Sequence, residues 1–202
     1  SDMVQQLPDS LIEILQWFED QNSHVWIVGG ANRHALLGTK ILEYDLATTM
    51  TPLEMKAYPD TIPTGEKYGT ITFRNRGEHY EITTLRTESG YNDGRRPDEV
   101  EWGDSLHVDL SRRDLTMNAI AVDVSKETYY DPYNGCKDLQ QKRIRSVGDP
   151  SKRLSEDALR ILRTYRFMDQ GEAGIWWPDL KLAAALRQTK PMLGRIASER
   201  IW

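Results

Sequence analysis

The sequence predicts an α+β fold, and three observations carry that prediction. Val25, Trp26, Ile27 and Val28 form an apolar, β-branched run of buried-strand type, which Gly29-Gly30 cuts short. Residues 41–46 alternate with period two, with Leu42, Tyr44 and Leu46 on one face and Glu43 and Asp45 on the other. Residues 69–75 and 79–86 flank Arg76-Gly77 in the manner of a hairpin. Helical spacing takes over at the two ends of the chain.

The 202 residues suffice for one good core, or for one domain with a helical appendage. An apolar content of 39% with 28% charged residues excludes a disordered chain. No apolar run reaches membrane-spanning length and no signal peptide is visible. The expectation is a soluble, cytoplasmic protein with no membrane partner and no evident protein partner. The single Cys136 excludes an internal disulfide and a cysteine-based metal cage, and suits a reducing compartment. A net charge of −5 argues against a protein coated in nucleic acid, although a local basic groove is compatible with it. Ser1-Asp2 ahead of Met3 reads as an addition before the natural start.

In chain order, residues 8–21 read as an amphipathic helix capped by Asp9 or Ser10, with Leu11, Ile14, Leu15 and Phe18 as its buried stripe. After the first strand, residues 31–37 give a short helix closed by Gly38. Thr51-Pro52-Leu53-Glu54 is a capping box with proline at the first helical position, and that helix is expected to end near Tyr58-Pro59. In the hairpin, His79, Glu81 and Thr83 share one face. Residues 87–104 lack periodicity and read as a mobile loop. Ser105 caps a helix expected to run through Arg113, followed by an apolar strand over residues 119–122. Residues 129–135 read as a turn, with a short helix near Asp138-Leu139 and a strand over residues 144–147. A long helix over residues 151–168, then helical stretches at 178–187 and 193–202, complete the pattern.

The Gly-Gly turn is the leading functional candidate. Two glycines between a strand and a helix N-terminus let the backbone approach a ligand with N–H groups aimed at it, which suits phosphate. Alone, such a pair is an ordinary tight turn. Glu43 and Asp45, side by side on the next strand, repel each other unless a cation lies between them. Together the two features suggest a magnesium-dependent nucleotide site.

Gly29-Gly30-Ala31-Asn32-Arg33-His34 followed by Glu43-Tyr44-Asp45 resembles the signature of class II tRNA nucleotidyltransferases (CCA-adding enzymes) and bacterial poly(A) polymerases. That signature is Gly-Gly-x-Val-Arg-Asp followed by Asp-x-Asp. Asn32 replaces its Val, His34 its Asp, and Glu43 its first metal-binding Asp. Gly65 to Thr70 resembles the family's Gly-x-x-x-Gly-Thr segment, and Glu81-Ile82-Thr83-Thr84 its strand beside Asp-x-Asp. Tyr91, Arg95, Arg96 and Pro97 match its flexible loop near the active site. Arg112-Arg113-Asp114-x-Thr116-x-Asn118-Ala119 is similar to its ribose- and phosphate-binding motif. Glu156-Asp157-x-x-Arg160, with Arg163 and Arg166-Phe167, matches its nucleotide-selecting helix, and Ser198-Glu199-Arg200-Ile201 the start of a further motif.

The resemblance implies a polymerase-beta-like nucleotidyltransferase head with a mixed sheet flanked by helices, followed by an α-helical neck. Residues 1–24 would be a helix packing on the head, 25–148 the head, and 149–202 a neck truncated relative to the family. It further implies transfer of nucleoside monophosphates from CTP and ATP to the 3′ end of tRNA or another RNA, with two Mg2+ ions. Glu43, Asp45 and Glu81 would be catalytic, with Glu43 and Asp45 holding metal. Gly29, Gly30, Arg33, Arg112, Arg113, Asp114, Asn118, Asp157, Arg160 and Arg163 would bind the nucleotide. The longer Glu43 side chain moves its carboxylate by roughly 1 Å, a shift worth on the order of a hundredfold in rate where magnesium geometry is strict. The alternatives are a nucleotide- or RNA-binding homologue with weakened catalysis, a poly(A) polymerase, or a partial CC- or A-adding enzyme.

Overall fold

The computed structural model describes residues 7–38, 41, 43–86, 105–148, 177–178 and 184. The chain divides into two compact units, Ser1–Leu110 with Ile120–Tyr130, and Ser111–Ala119 with Asp131–Trp202.

In the first unit, helix α1 (Asp9–Asp20) buries Ser10, Leu11, Ile14, Leu15 and Phe18, the stripe that its sequence spacing predicts. Its cap differs from the expectation. Pro8 is the N-cap and no side chain caps the helix. Ser10 instead turns inward, where its Oγ lies 2.6 Å from the Tyr80 hydroxyl. Strand β1 (Val25–Val28) leads through Gly29 into helix α2 (Gly30–Leu37), which Gly38 closes in the left-handed region at φ 71°. Strand β2 is Asp45–Thr48, displaced towards the C-terminus from the predicted 41–46, so Glu43 precedes the strand instead of lying within it. Helix α3 (Pro52–Met55) carries both hydrogen bonds of the predicted capping box and ends sooner than expected.

Strand β3 (Thr61–Gly65) has no counterpart in the sequence reading. Strands β4 (Thr70–Asn75) and β5 (Glu78–Thr84) form the predicted hairpin, with Arg76 and Gly77 at φ 53° and 79°. Helix α4 (Leu106–Ser111) ends before Arg112 instead of running through Arg113, and the Val108 N–H reaches the Ser105 hydroxyl at 3.4 Å. Strands β6 (Ala121–Asp123) and β7 (Thr128–Tyr130) complete the unit. Tyr129 and Tyr130, expected in a turn, pair instead with Val122 and Ala121, in line with the strand preference of aromatic residues.

Among the described residues these seven strands form one mixed sheet in the order β3-β4-β5-β2-β1-β6-β7. Only the β2–β5 pair is parallel in it. One face of the sheet packs on α1. Phe73 stacks on Tyr58 at 4.2 Å and on Phe18 at 5.5 Å, with Trp17 edge-on at 5.6 Å. Leu11, Ile14, Ile71 and Ile82 are fully buried around this aromatic cluster. Each such side chain contributes about 1.5–3 kcal/mol by burial, which fixes which face of the sheet is left open.

In the second unit, a one-turn 3-10 helix spans Thr116–Asn118 and helix α5 spans Gly135–Gln140. Strand β8 (Arg143–Ile144) pairs in parallel with β9 (Trp177–Pro178). Pro178 therefore belongs to a strand, not to the predicted helix start. Ala184 is helical. The predicted loop over residues 87–104, the long helix over 151–168 and the stretch 193–202 lie outside the described residues. Among the described residues, no helix is long and apolar enough to cross a membrane.

Candidate active site

Strand register assembles the acidic part of the site. Asp45 opens β2, opposite Val28 on β1 and opposite Glu81 on β5. Glu81 in turn faces Thr72 on β4. One transverse row therefore runs from the residue before the Gly-Gly turn, through Asp45 and Glu81, to a threonine. On β5 the buried residues are Tyr80, Ile82 and Thr84, so His79, Glu81 and Thr83 take the open face, as their spacing predicts. Glu43, Asp45 and Glu81 are all exposed. They line one cleft of about 250 Å³ together with Tyr44, Ile62, Thr64, Thr72 and His79.

The donors in this cleft are carboxylates and hydroxyls, the hard oxygen ligands that magnesium takes. Among the described residues no three His, Cys, Asp or Glu side chains converge closely enough to hold an ion by themselves. The residues present fit such an ion.

Beside the acidic row, the Gly29 backbone has φ 74° and ψ −148°, a conformation that a side chain would strain. No side-chain oxygen caps α2 at Gly29, and in its first turn the Asn32 N–H donates back to the Gly29 carbonyl at 3.3 Å. Asn32 fixes this end in place. Its amide donates to the carbonyls of Ile27 and Ile120, each at 2.8 Å, tying α2 to the end of β1 and to the approach of β6. Arg33 is 9% exposed, and its guanidinium folds back towards Gly30. A Cβ placed on Gly30 would lie 3.4 Å from Arg33 Nη2. The same Nη2 donates to His34 Nε2 at 3.1 Å.

Arg112, Arg113, Asp114 and Asn118 belong to the second unit. There, Asp114 Oδ1 accepts from the Leu115 N–H at 2.7 Å and from Asn118 Nδ2 at 3.0 Å, so the carboxylate and the amide of the predicted motif hold each other. Thr116 of the same motif donates to Asp138, which Arg145 grips through Nε and Nη2. Cys136 stands apart from this chemistry: burial, then the neighbouring Asp131, pushes its thiol up to about 12, which keeps it protonated and inert. Asp157, Arg160 and Arg163 lie outside the described residues.

Sequence reasoning missed the double carbonyl clamp of Asn32, the Arg33–His34 contact, and Thr64 and Thr72 in the cleft. The alternation of Thr70 and Thr72 was a usable strand signal. Nothing local marked the Asn32 contacts, because one of its partners is Ile120.

The family model for the poly(A) polymerase head domain matches residues 25–145. A CCA-adding enzyme of Lactobacillus helveticus is 42% identical over 202 residues, covering 98% of this chain and 50% of the relative. The crystal structure of Bacillus stearothermophilus CCA-adding enzyme in complex with CTP superposes with a TM-score of 0.77 at 36% identity, covering 95% of this chain and 46% of that one. A tRNA-processing enzyme in an apo form superposes with a TM-score of 0.71 at 26% identity, covering 93% of this chain and 48% of that one. The chain thus spans about half the length of these relatives.

Proposed function

This chain belongs to the poly(A) polymerase head-domain family, and from that premise we propose that it is the nucleotide-transferring portion of a CCA-adding enzyme. Its substrates are CTP and ATP, its acceptor is the 3′ end of tRNA, and its neck follows the head from about residue 149. The observation that carries this reading is the shared cleft of Glu43, Asp45 and Glu81 beside an uncapped Gly-Gly helix start. The high identity to CCA-adding relatives favours this substrate pair over a poly(A) polymerase using ATP alone.

In the reaction, the acceptor 3′-oxygen bonds to the α-phosphorus, the bond to the β-phosphate oxygen breaks, and pyrophosphate leaves. Glu43 and Asp45 would hold magnesium, and a pair of such ions would supply charge neutralisation at the phosphates and a more acidic attacking hydroxyl. The N–H groups that open α2 and the Arg33 guanidinium bind the triphosphate. Glu81, beside Asp45, accepts the hydroxyl proton on its carboxylate. Arg112 and Arg113 bind phosphate oxygens, Asp114 accepts from the ribose, and Asn118 keeps Asp114 in place. Asp157 and Arg160 read the Watson–Crick edge of the base, with Arg163 beside them. Protein donors and acceptors replace a template.

The test is incorporation of labelled CTP and ATP into tRNA lacking its 3′ end, with magnesium and with manganese, using Asp45→Ala as the control. Incorporation of both nucleotides that is lost in the control is the expected result. ATP-only incorporation would establish the poly(A) reading, and CTP-only incorporation a CC-adding enzyme. CTP binding without incorporation under either metal would favour a binding homologue, in line with the Glu43 and His34 departures.

A further inference from the structure

The geometry points to His34 as a positioning residue that seats the Arg33 guanidinium over the Gly-Gly turn while adding no negative charge there. This rests on the reading of Arg33 as a triphosphate ligand and extends it to a residue that never touches the substrate.

Side chains on a helix lean towards its N-terminus, so Arg33 naturally reaches back over Gly30, one turn earlier. A Cβ built on Gly30 would lie 3.4 Å from Arg33 Nη2, an ordinary van der Waals contact, so the guanidinium lies against that residue. A buried cation in that position needs an acceptor to hold its orientation. Guanidinium nitrogens donate and never accept, so the 3.1 Å contact makes His34 Nε2 the acceptor. Accepting there requires the imidazole to leave Nε2 unprotonated.

The resembled signature carries a carboxylate at this position, and a carboxylate would form a charge-assisted bond and offset the guanidinium charge. An imidazole accepts the bond without bringing a carboxylate's negative charge to the place where a triphosphate arrives. The substitution thus preserves orientation and favours anion attraction. Asn32, clamped on two carbonyls, keeps the helix start rigid, so the arginine works from a fixed base.

The test is calorimetric titration of CTP with magnesium into this chain and four variants: His34→Leu, His34→Gln, Arg33→Ala, and Arg33→Ala combined with His34→Leu. His34→Leu removes the acceptor and is expected to weaken CTP by ~5- to 10-fold, the value of one hydrogen bond to a charged group acting partly through orientation. His34→Gln places an amide oxygen where Nε2 stood and is expected to stay within about twofold of the parent. In the Arg33→Ala background, His34→Leu is expected to add nothing, because its effect passes through Arg33. If His34→Leu does not fold, His34→Asn gives the same reading, since its shorter amide overlays Nδ1 and falls short of the guanidinium. Parent-like CTP affinity in His34→Leu alongside a weakened Arg33→Ala would overturn the role of His34 and leave the proposed function standing. An equal loss from His34→Leu in both backgrounds would likewise overturn it. Parent-like affinity in Arg33→Ala, or no CTP binding by the parent chain, would overturn both readings together.

Discussion

Two groups of carboxylates in this molecule are built in opposite ways. Asp45 and Glu81 stand in register on neighbouring strands, exposed, at the wall of an open cleft. The Asp138 side chain in the second unit is 0% exposed, and its two oxygens take bonds of 2.6–3.0 Å from Arg145 and Thr116. Like charges placed side by side in water are tolerable at modest cost, and a cation turns that cost into binding. A single buried charge is tolerable only when it is paired and fully hydrogen-bonded. The first arrangement puts carboxylates on the wall of a cleft that a ligand can enter; the second buries its carboxylate among internal donors. Acidity alone therefore says little about role, whereas exposure separates the two groups.

The sharpest way to break this comparison is to delete one carboxylate from each group. Asp45→Ala should lower nucleotide incorporation by on the order of 10³-fold, while its thermal unfolding midpoint stays close to that of the parent, as for most exposed substitutions. Asp138→Ala should do the reverse. It strands Arg145 and Thr116 against a buried gap and should cost about 3 kcal/mol in urea-monitored unfolding, discounted because Arg145 is partly solvated. A stable Asp138→Ala, or an active Asp45→Ala, would collapse the distinction. A smaller effect tests the chemistry of the open group. Glu43→Asp shortens a cleft carboxylate by one methylene and should preserve or raise turnover by up to about tenfold, read from steady-state incorporation rates. A loss of turnover would mean that the cleft is built around the longer side chain.

What the sequence made legible were the features that are local. The capping box of Thr51 and Glu54, the left-handed Arg76-Gly77 turn and the stripe of α1 each depend on a few neighbouring residues, and each appears as expected. The limits of β2 were not local. Residues 41–46 alternate well, but pairing to β1 on one side and β5 on the other begins only at Asp45, and pairing decides where a strand starts. Strand β3 was invisible for a related reason. It carries Pro63, which argues against a strand in sequence, and it is tolerated because, among the described residues, β3 is an edge strand paired with β4 alone. For the site, the alternation on β5 put Glu81 on the correct face. That it lies directly opposite Asp45 is a matter of long-range register, which no window of sequence contains.

Glu13 is a third case, an exposed carboxylate held in a surface ion pair. Its carboxylate accepts from Arg76 Nε and from Asn75 Nδ2, each at 2.8 Å, pinning α1 to the hairpin turn. These hydrogen bonds, with Arg76 the larger cause, hold its pKa below the ordinary carboxylate value of 4.5. A carboxylate whose folded value is depressed adds stability above its unfolded value, and loses that contribution as pH falls through the folded value. Stability should therefore fall slightly as pH drops below about 4.5, and Glu13→Gln should flatten that part of the profile. Because the ion pair is largely solvated, the change should be the smallest of those considered, and raised salt should shrink it further. Unfolding midpoints at pH 7 and pH 4, each at low and high salt, read the difference directly. A Glu13→Gln profile as steep as the parent's would show that surface partnering contributes nothing measurable here, leaving burial as the property that makes a paired carboxylate structural.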